Sequence, residues 1–312
     1  MMQPARMKQF VTCLLVLTIS GAAPLGAAQL INPAFYPEGP LWVDDKLYYA
    51  EMGRDRVSVW DGESRSTFWR KSGCGPTAIT EFGAGDFLVL CHLARKLVQV
   101  DRNGDVIREI LQDASGREFQ DPNDVTSDGK GGAFFSDPGV FLKGSPATGR
   151  VIHIDRTGSA VPLAVGLSYA NGVHFDKNGS RLFVSEHLAR RVLVYEFSER
   201  SLTIVQVAFD FSDAEPAKSA PYAEAGPDGL EFDKHGRLWV CEYGQGRILV
   251  IGRDGAYVGM METDFRFITN LAFDDVGRIA ITGAYSNSKS PFRGVVKILS
   301  EDDFPAHLSV QN

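Results

Sequence analysis

Six short segments of this 312-residue chain carry an oxygen-bearing side chain in a shared setting. They are Glu38 in Glu-Gly-Pro, Thr77 in Gly-Pro-Thr, Asn123 in Pro-Asn-Asp, Asn171 in Ala-Asn-Gly, Asp228 in Pro-Asp-Gly and Asn270 in Thr-Asn-Leu. Each stands nine to eleven residues ahead of an apolar pentad that recurs along the chain, so the six are in register. Brought together, two carboxylates and several carboxamides would form a hard oxygen site without thiolate or imidazole. Such a set suits Ca²⁺, with Zn²⁺ or Mn²⁺ as alternatives, and an ion's charge would offset the repulsion between Glu38 and Asp228. Asn and Asp also begin strands after turns for purely local reasons. That account does not reach Glu38, since Glu has no special turn preference, and it does not explain the common register.

The elements that would have to gather these residues are strands. The pentads read Leu47-Tyr-Tyr-Ala-Glu51, Phe87-Leu-Val-Leu-Cys91, Ala133-Phe-Phe-Ser-Asp137, Leu182-Phe-Val-Ser-Glu186, Leu238-Trp-Val-Cys-Glu242 and Ile279-Ala-Ile-Thr-Gly283, with starts 40 to 56 residues apart. Most follow an Asp/Gly-rich turn and precede a second apolar strand, the pattern of hairpins in series. No 3.6-residue period is sustained and no strand–helix alternation appears, which excludes Rossmann and (β/α) barrel folds. Six repeated units predict an all-β fold, a six-bladed β-propeller with a central metal site. Innermost strands surround the channel of a propeller, so equivalent residues from different blades meet there.

Strand direction adds two expectations. The pentad-ending acids Glu51, Asp137, Glu186 and Glu242 return toward the same mouth, either as an acidic outer layer or as exposed hairpin-end charges. Three long connections, Gly139 to Gly149, Asp213 to Gly226 and Tyr285 to Arg293, fall on that face, as walls of a site or as inert surface. His92 and His187 fall near strand ends, His174 in an inner strand and His235 in a turn. No Gly-x-Ser-x-Gly elbow exists to support a serine nucleophile.

Arg6 and Lys8 precede an apolar run from Phe10 to Ile19 and then the small residues Gly26-Ala27-Ala28, which reads as a secretory signal over residues 1–28, ahead of a propeller domain over 29–312. The expected location is secreted or periplasmic. No segment is long and apolar enough to span a bilayer as a helix. Without the leader, 30 basic residues stand against 39 acidic ones, a net charge of −9 that disfavours nucleic acid as a partner. Cys74, Cys91 and Cys241 remain; Cys74 and Cys91 could pair in one hairpin region or be buried separately.

Through Glu38-Gly-Pro-Leu-Trp, Pro122-Asn-Asp, Asn171-Gly-Val, Pro227-Asp-Gly-Leu, Gly236-Arg-Leu-Trp-Val240 and Gly244-Gln-Gly-Arg247, the chain resembles the SMP-30/gluconolactonase (regucalcin-type) family over most of residues 35 to 300. The stretch Tyr169 to Glu196 is also similar to paraoxonases, and Asn123, Asn171, Asp228 and Asn270 to diisopropyl fluorophosphatase. The family resemblance implies a divalent ion held by Glu38, Asn171 and Asp228, with Asn123 as a further ligand or a substrate contact. The expected activity is metal-dependent opening of a lactone, a small neutral cyclic ester, with Asp228 as general base or nucleophile and with Asn123, Asn270 and Asp121 toward the substrate. Asp121 departs from the family, whose sugar-acid lactonases often carry Arg there, and its charge would repel an anion. Phosphotriester hydrolysis at the same site and a non-catalytic, metal-stabilised ligand-binding propeller are the alternatives.

Overall fold

Pentads whose apolar residues fall on successive positions read as strands sheltered on both faces. The computed structural model, which describes residues 28–176, 180–198, 201–214 and 222–308, shows them so. Among these residues six four-stranded antiparallel sheets form, each pentad lying second from the axis. The predicted leader falls outside the described residues apart from its last position.

Each of blades one to five is a meander of consecutive strands, and the sixth is completed by the chain's beginning. Strand Gln29–Phe35 pairs antiparallel with Arg293–Leu299, so the N-terminal segment closes the ring against the last blade. The core is divided into six apolar wedges, one between each pair of neighbouring blades. Tyr48 and Val57 of blade one, for instance, pack against Phe87 and Val89 of blade two.

The hairpin turns repeat one device. Asp101, Asp155, Asp233 and Asp274 each accept backbone N–H bonds from residues two and four further on, and glycines at the third position, such as Gly236 (φ +74°), take the left-handed conformation that closes the turn.

A disulfide joins Cys74 to Cys91, which resolves the open pairing, and Cys241 is free and buried.

The pentad-ending acids are neither an outer layer of the mouth nor exposed charges. Glu51, Asp137 and Glu242 are fully buried, and each binds an arginine at the start of the next strand: Arg56 at 2.6 Å, Arg150 at 3.0 Å (Nε) and Arg247 at 2.5 Å. Glu186 does the same with Arg191 at 2.6 Å. Glu51, Asp137 and Glu186 also accept N–H groups from the segment leading into the inner strand, Phe35, Gln120 with Asp121, and Ser168 respectively. Glu51, Asp137 and Glu186 therefore each tie the start of an inner strand to its own hairpin.

Candidate functional site

The inner strands Pro37–Val43, Pro76–Phe82, Ala170–Asp176, Gly226–Phe232 and Phe267–Phe273 all share an irregularity near their first residues. Each carries one residue more than its partner strand, as between Pro227↔Glu242 and Leu230↔Val240. Such a bulge re-aims side chains that would otherwise alternate up and down the sheet. Close approach of neighbouring strands completes the arrangement. A Cβ on Gly172 would lie 2.1 Å from the Asp228 carbonyl oxygen, and one on Gly229 would lie 2.1 Å from Asn270 Oδ1, so the residues after Asn171 and Asp228 have no room for a side chain.

Glu38, Thr77, Asn123, Asn171 and Asp228 are brought together in the lining of one cavity of about 320 Å³ at the mouth of the channel. Asn270 does not join them. Pairing registers Pro37, Pro76, Ala170, Pro227 and Ile268 opposite the ends of their pentads, so the residues that follow are Glu38, Thr77, Asn171, Asp228 and Thr269. The expected sixth position was thus displaced by one residue, and one residue along a strand reverses the side chain. Thr269 is fully buried and donates to the Pro37 carbonyl at 2.7 Å. Asn270 lines a separate cavity of about 340 Å³ and donates from Nδ2 to Asp124 Oδ1 at 3.0 Å. Asp121 is also outside the lining; its carboxylate lies 3.6 Å from Arg95 Nε, a neighbour that offsets its field at the mouth.

Glu38 and Asp228 are both buried and neither has an ion pair among the described residues. Burial, and then the neighbouring carboxylates Asp228 and Asp124, hold Glu38 well above the usual carboxylate range. Asp228 is raised in the same way, by burial and then by Asp124. Asp124, overlooked beside Asn123, sits beneath the site with both oxygens engaged, by Asn270 and by the Val173 N–H at 2.9 Å, and burial pushes it up to about 6.

Asn171 is the most informative side chain. Its Nδ2 lies 3.2 Å from His187 Nδ1, and His187 Nε2 lies 2.8 Å from the Glu224 carbonyl. A carbonyl can only accept, so Nε2 carries the proton and Nδ1 accepts from Asn171. Burial lowers His187 to about 4, which keeps that neutral tautomer in place. The amide is thereby held with Oδ1 turned away from His187, and Oδ1 is buried without a hydrogen-bond partner. An unpartnered buried acceptor beside two unneutralised carboxylates is a donor set suited to a hard cation. Among the described residues no three His, Cys, Asp or Glu side chains stand grouped to hold a metal, so the carboxamides would have to complete the ligand set.

Aromatic residues form the rest of the cavity, and the sequence reading passed over them. Tyr36 and Tyr169 each stand two residues before a site residue, and both adopt left-handed backbone, φ +49° and +62°. Bulky residues rarely do so, and the position shared by two blades was the available signal. Phe141, Tyr222 and Asn287 reach in from the three long connections, which therefore supply walls. His92 and His187 line the cavity, whereas His174 lines other cavities and His235 stays in its turn beside Glu301. A larger cavity of about 930 Å³ opens between blades four and five, and none of the channel-mouth positions reaches it.

Inner strands that deliver carboxylates and carboxamides to one mouth define a propeller with a polar site on its axis. The chain belongs to the SMP-30/Gluconolactonase/LRE-like region family, whose profile matches residues 36–285. It is 25% identical to pentonolactonase XacC of Haloferax volcanii over 256 residues, 79% of this chain and 81% of that protein. Lactonase drp35 of Staphylococcus aureus is 29% identical over 162 residues, 51% of this chain and 46% of drp35, so the match spans less than half of that relative. The solved structure of XC5397 from Xanthomonas campestris, described as a gluconolactonase, superposes with a TM-score of 0.68 at 23% identity, covering 88% of this chain and 91% of the other, and shows the fold alone.

Proposed function

We propose that this chain opens a neutral lactone at the channel mouth and that a divalent cation, Ca²⁺ first and Zn²⁺ or Mn²⁺ as alternatives, is held there by Glu38, Asn171 and Asp228 with Asn123. The observation that carries the reading is the buried, unpartnered Asn171 Oδ1 beside the unneutralised Glu38 and Asp228. Lactonase relatives support the reaction class. When bound, the cation would polarise the ester carbonyl and stabilise charge developing on its oxygen.

Asp228 is the base in this scheme. It takes a proton from the attacking water as the water oxygen bonds to the carbonyl carbon. The ring C–O bond then breaks, and the departing alkoxide recovers that proton to give an open hydroxy acid. Glu38 and Asn171 hold position. Asn123, which stands beside the Tyr169 hydroxyl, orients the substrate. Among the described residues the lining contains no Lys or Arg, which favours an uncharged substrate over a sugar acid. Export is part of the same proposal, and the Cys74–Cys91 disulfide supports it, because such bonds persist in oxidising compartments.

A panel of neutral and anionic lactones, aryl esters and phosphotriesters, assayed after chelation and with Ca²⁺, Zn²⁺ or Mn²⁺ restored, tests the whole reading. Ring opening of neutral lactones should vanish on chelation and return with an ion. Undiminished turnover in protein shown by elemental analysis to be metal-free would sink the metal assignment. Turnover confined to phosphotriesters would replace the substrate class.

A further inference from the structure

Part of the cavity is lined by aromatic side chains, most of whose hydroxyls are already engaged. Tyr36 and Tyr243 share a hydrogen bond at 2.8 Å between hydroxyls, and the Tyr222 hydroxyl accepts from Asn287 Nδ2 at 2.8 Å. The Tyr169 hydroxyl stands beside Asn123. These are the four tyrosines of the lining, so the aromatic part of the pocket presents ring faces and edges, beside the polar Glu38, Thr77, Asn123, Asn171 and Asp228. Phe141 extends the surface, its centroid 4.8 Å from Tyr169, 5.2 Å from the His187 ring and 6.2 Å from Tyr243. Tyr222 continues it, 6.1 Å from Tyr243.

The rim has the same character. Val140, Phe141 and Leu142 are 57%, 37% and 57% exposed on the connection that carries Phe141 into the cavity. Three consecutive apolar residues left open to water beside an aromatic pocket mark an apolar contact surface. Hydroxyls of a polyhydroxylated lactone turned toward this aromatic wall would give up water without gaining partners. A flat ring would meet edge-to-face and offset-stacked partners on several sides.

Resting on the lactone-hydrolase reading, we propose that the substrate carries an uncharged planar ring near its ester, held against Phe141 and Tyr222 while the ester carbonyl meets Glu38, Asn171 and Asp228. Phe141 is then a specificity determinant supplied by the connection between blade strands, and the cavity of about 320 Å³ sets the size of the molecule to one such ring beside the reacting ester.

The test uses δ-valerolactones that share one leaving alkoxide and differ at a remote carbon: unsubstituted, phenyl, cyclohexyl and polyhydroxylated. The phenyl compound should exceed the unsubstituted one in kcat/KM by about tenfold, with cyclohexyl between them and the polyhydroxylated compound lowest. Phe141→Ala should cut the phenyl-to-unsubstituted ratio by about threefold or more, and Phe141→Leu should favour cyclohexyl over phenyl. The matching lactams report binding by calorimetry without ring opening. Tighter binding of the phenyl lactam in a protein that opens none of the lactones would uphold the ring pocket and overturn only the hydrolase reading. Equal affinities for phenyl and unsubstituted lactams, a phenyl preference untouched by Phe141→Ala, or a preference for the polyhydroxylated lactone would overturn the ring pocket itself.

Discussion

At the scale of single residues, the site depends on two buried carboxylates without an ion pair among the described residues and on the orientation of one amide. Asp228 is raised by burial and by Asp124, so the folded chain binds its proton more tightly than the unfolded chain does. The sign of the linkage follows. That proton favours folding while pH stays below the unfolded value of about 3.9, and the contribution is lost as pH climbs through the raised folded value. Replacing Asp228 with Asn removes the titration. The ion-free variant should therefore be more stable than ion-free wild type near pH 8, a gap that narrows as pH falls below the raised folded value, as urea melts in chelator would show. Turnover of the same variant should fall on the order of a hundredfold or more at saturating ion; near wild-type turnover would remove Asp228 as base. His187 acts through Asn171. His187→Leu leaves Nδ2 free to rotate, and the apparent affinity for Ca²⁺ added back to stripped protein should drop about tenfold, with the melting temperature of the ion-free protein as the control for simple misfolding.

At the scale of elements, five of the inner strands are bulged at the start, and in three of these a glycine, Gly39, Gly172 or Gly229, follows the site residue. Gly172 shows how little room remains, since an added methyl would meet the backbone of the Asp228 strand at 2.1 Å. Gly172→Ala should cost about 1–3 kcal/mol in urea unfolding and also lower activity, because the strand that gives way is the one carrying Asp228. A fully active, fully stable variant would mean that the neighbouring strands are not packed as described. The buried acid–arginine pairs serve this arrangement from behind. They bond the segments entering the inner strands rather than the substrate.

For the whole molecule, blades one and two are tied by packing, and a disulfide fixes the connection between them to blade two. The Cys74–Cys91 bridge spans 17 residues and ends beside His92, a wall of the cavity. Closing a loop of that length should contribute about 3 kcal/mol, so phosphine reduction or Cys74→Ser with Cys91→Ser should lower the thermal midpoint by several degrees. An unchanged midpoint on complete reduction would show that the bridge is dispensable to the ring. Closure by Gln29–Phe35 against the last blade makes the fold one cooperative circle, in which loss of any wedge of core exposes two blade faces.

Much of this architecture was legible locally. The apolar pentads declared strands covered on both faces, the Asp and Gly spacing declared their turns, and the repeat declared six blades, because hairpin formation and turn chemistry involve residues near one another in the chain. Glu38, Asn123, Asn171 and Asp228 were legible for the same reason, since a repeat preserves register. Ring closure by Gln29–Phe35 was not legible, because its partner lies more than two hundred residues away and neither strand names the other. Asn270 was taken for Thr269 because a bulge inserts a residue without changing composition, and only pairing across the sheet reveals which side chain it turns inward. The arginine partners of Glu51, Asp137, Glu186 and Glu242, the unpartnered Asn171 oxygen and the aromatic wall were likewise decided by tertiary structure. Burial, proximity and hydrogen-bond satisfaction are properties of side chains from different blades meeting in space, and a linear sequence records the side chains without the meeting.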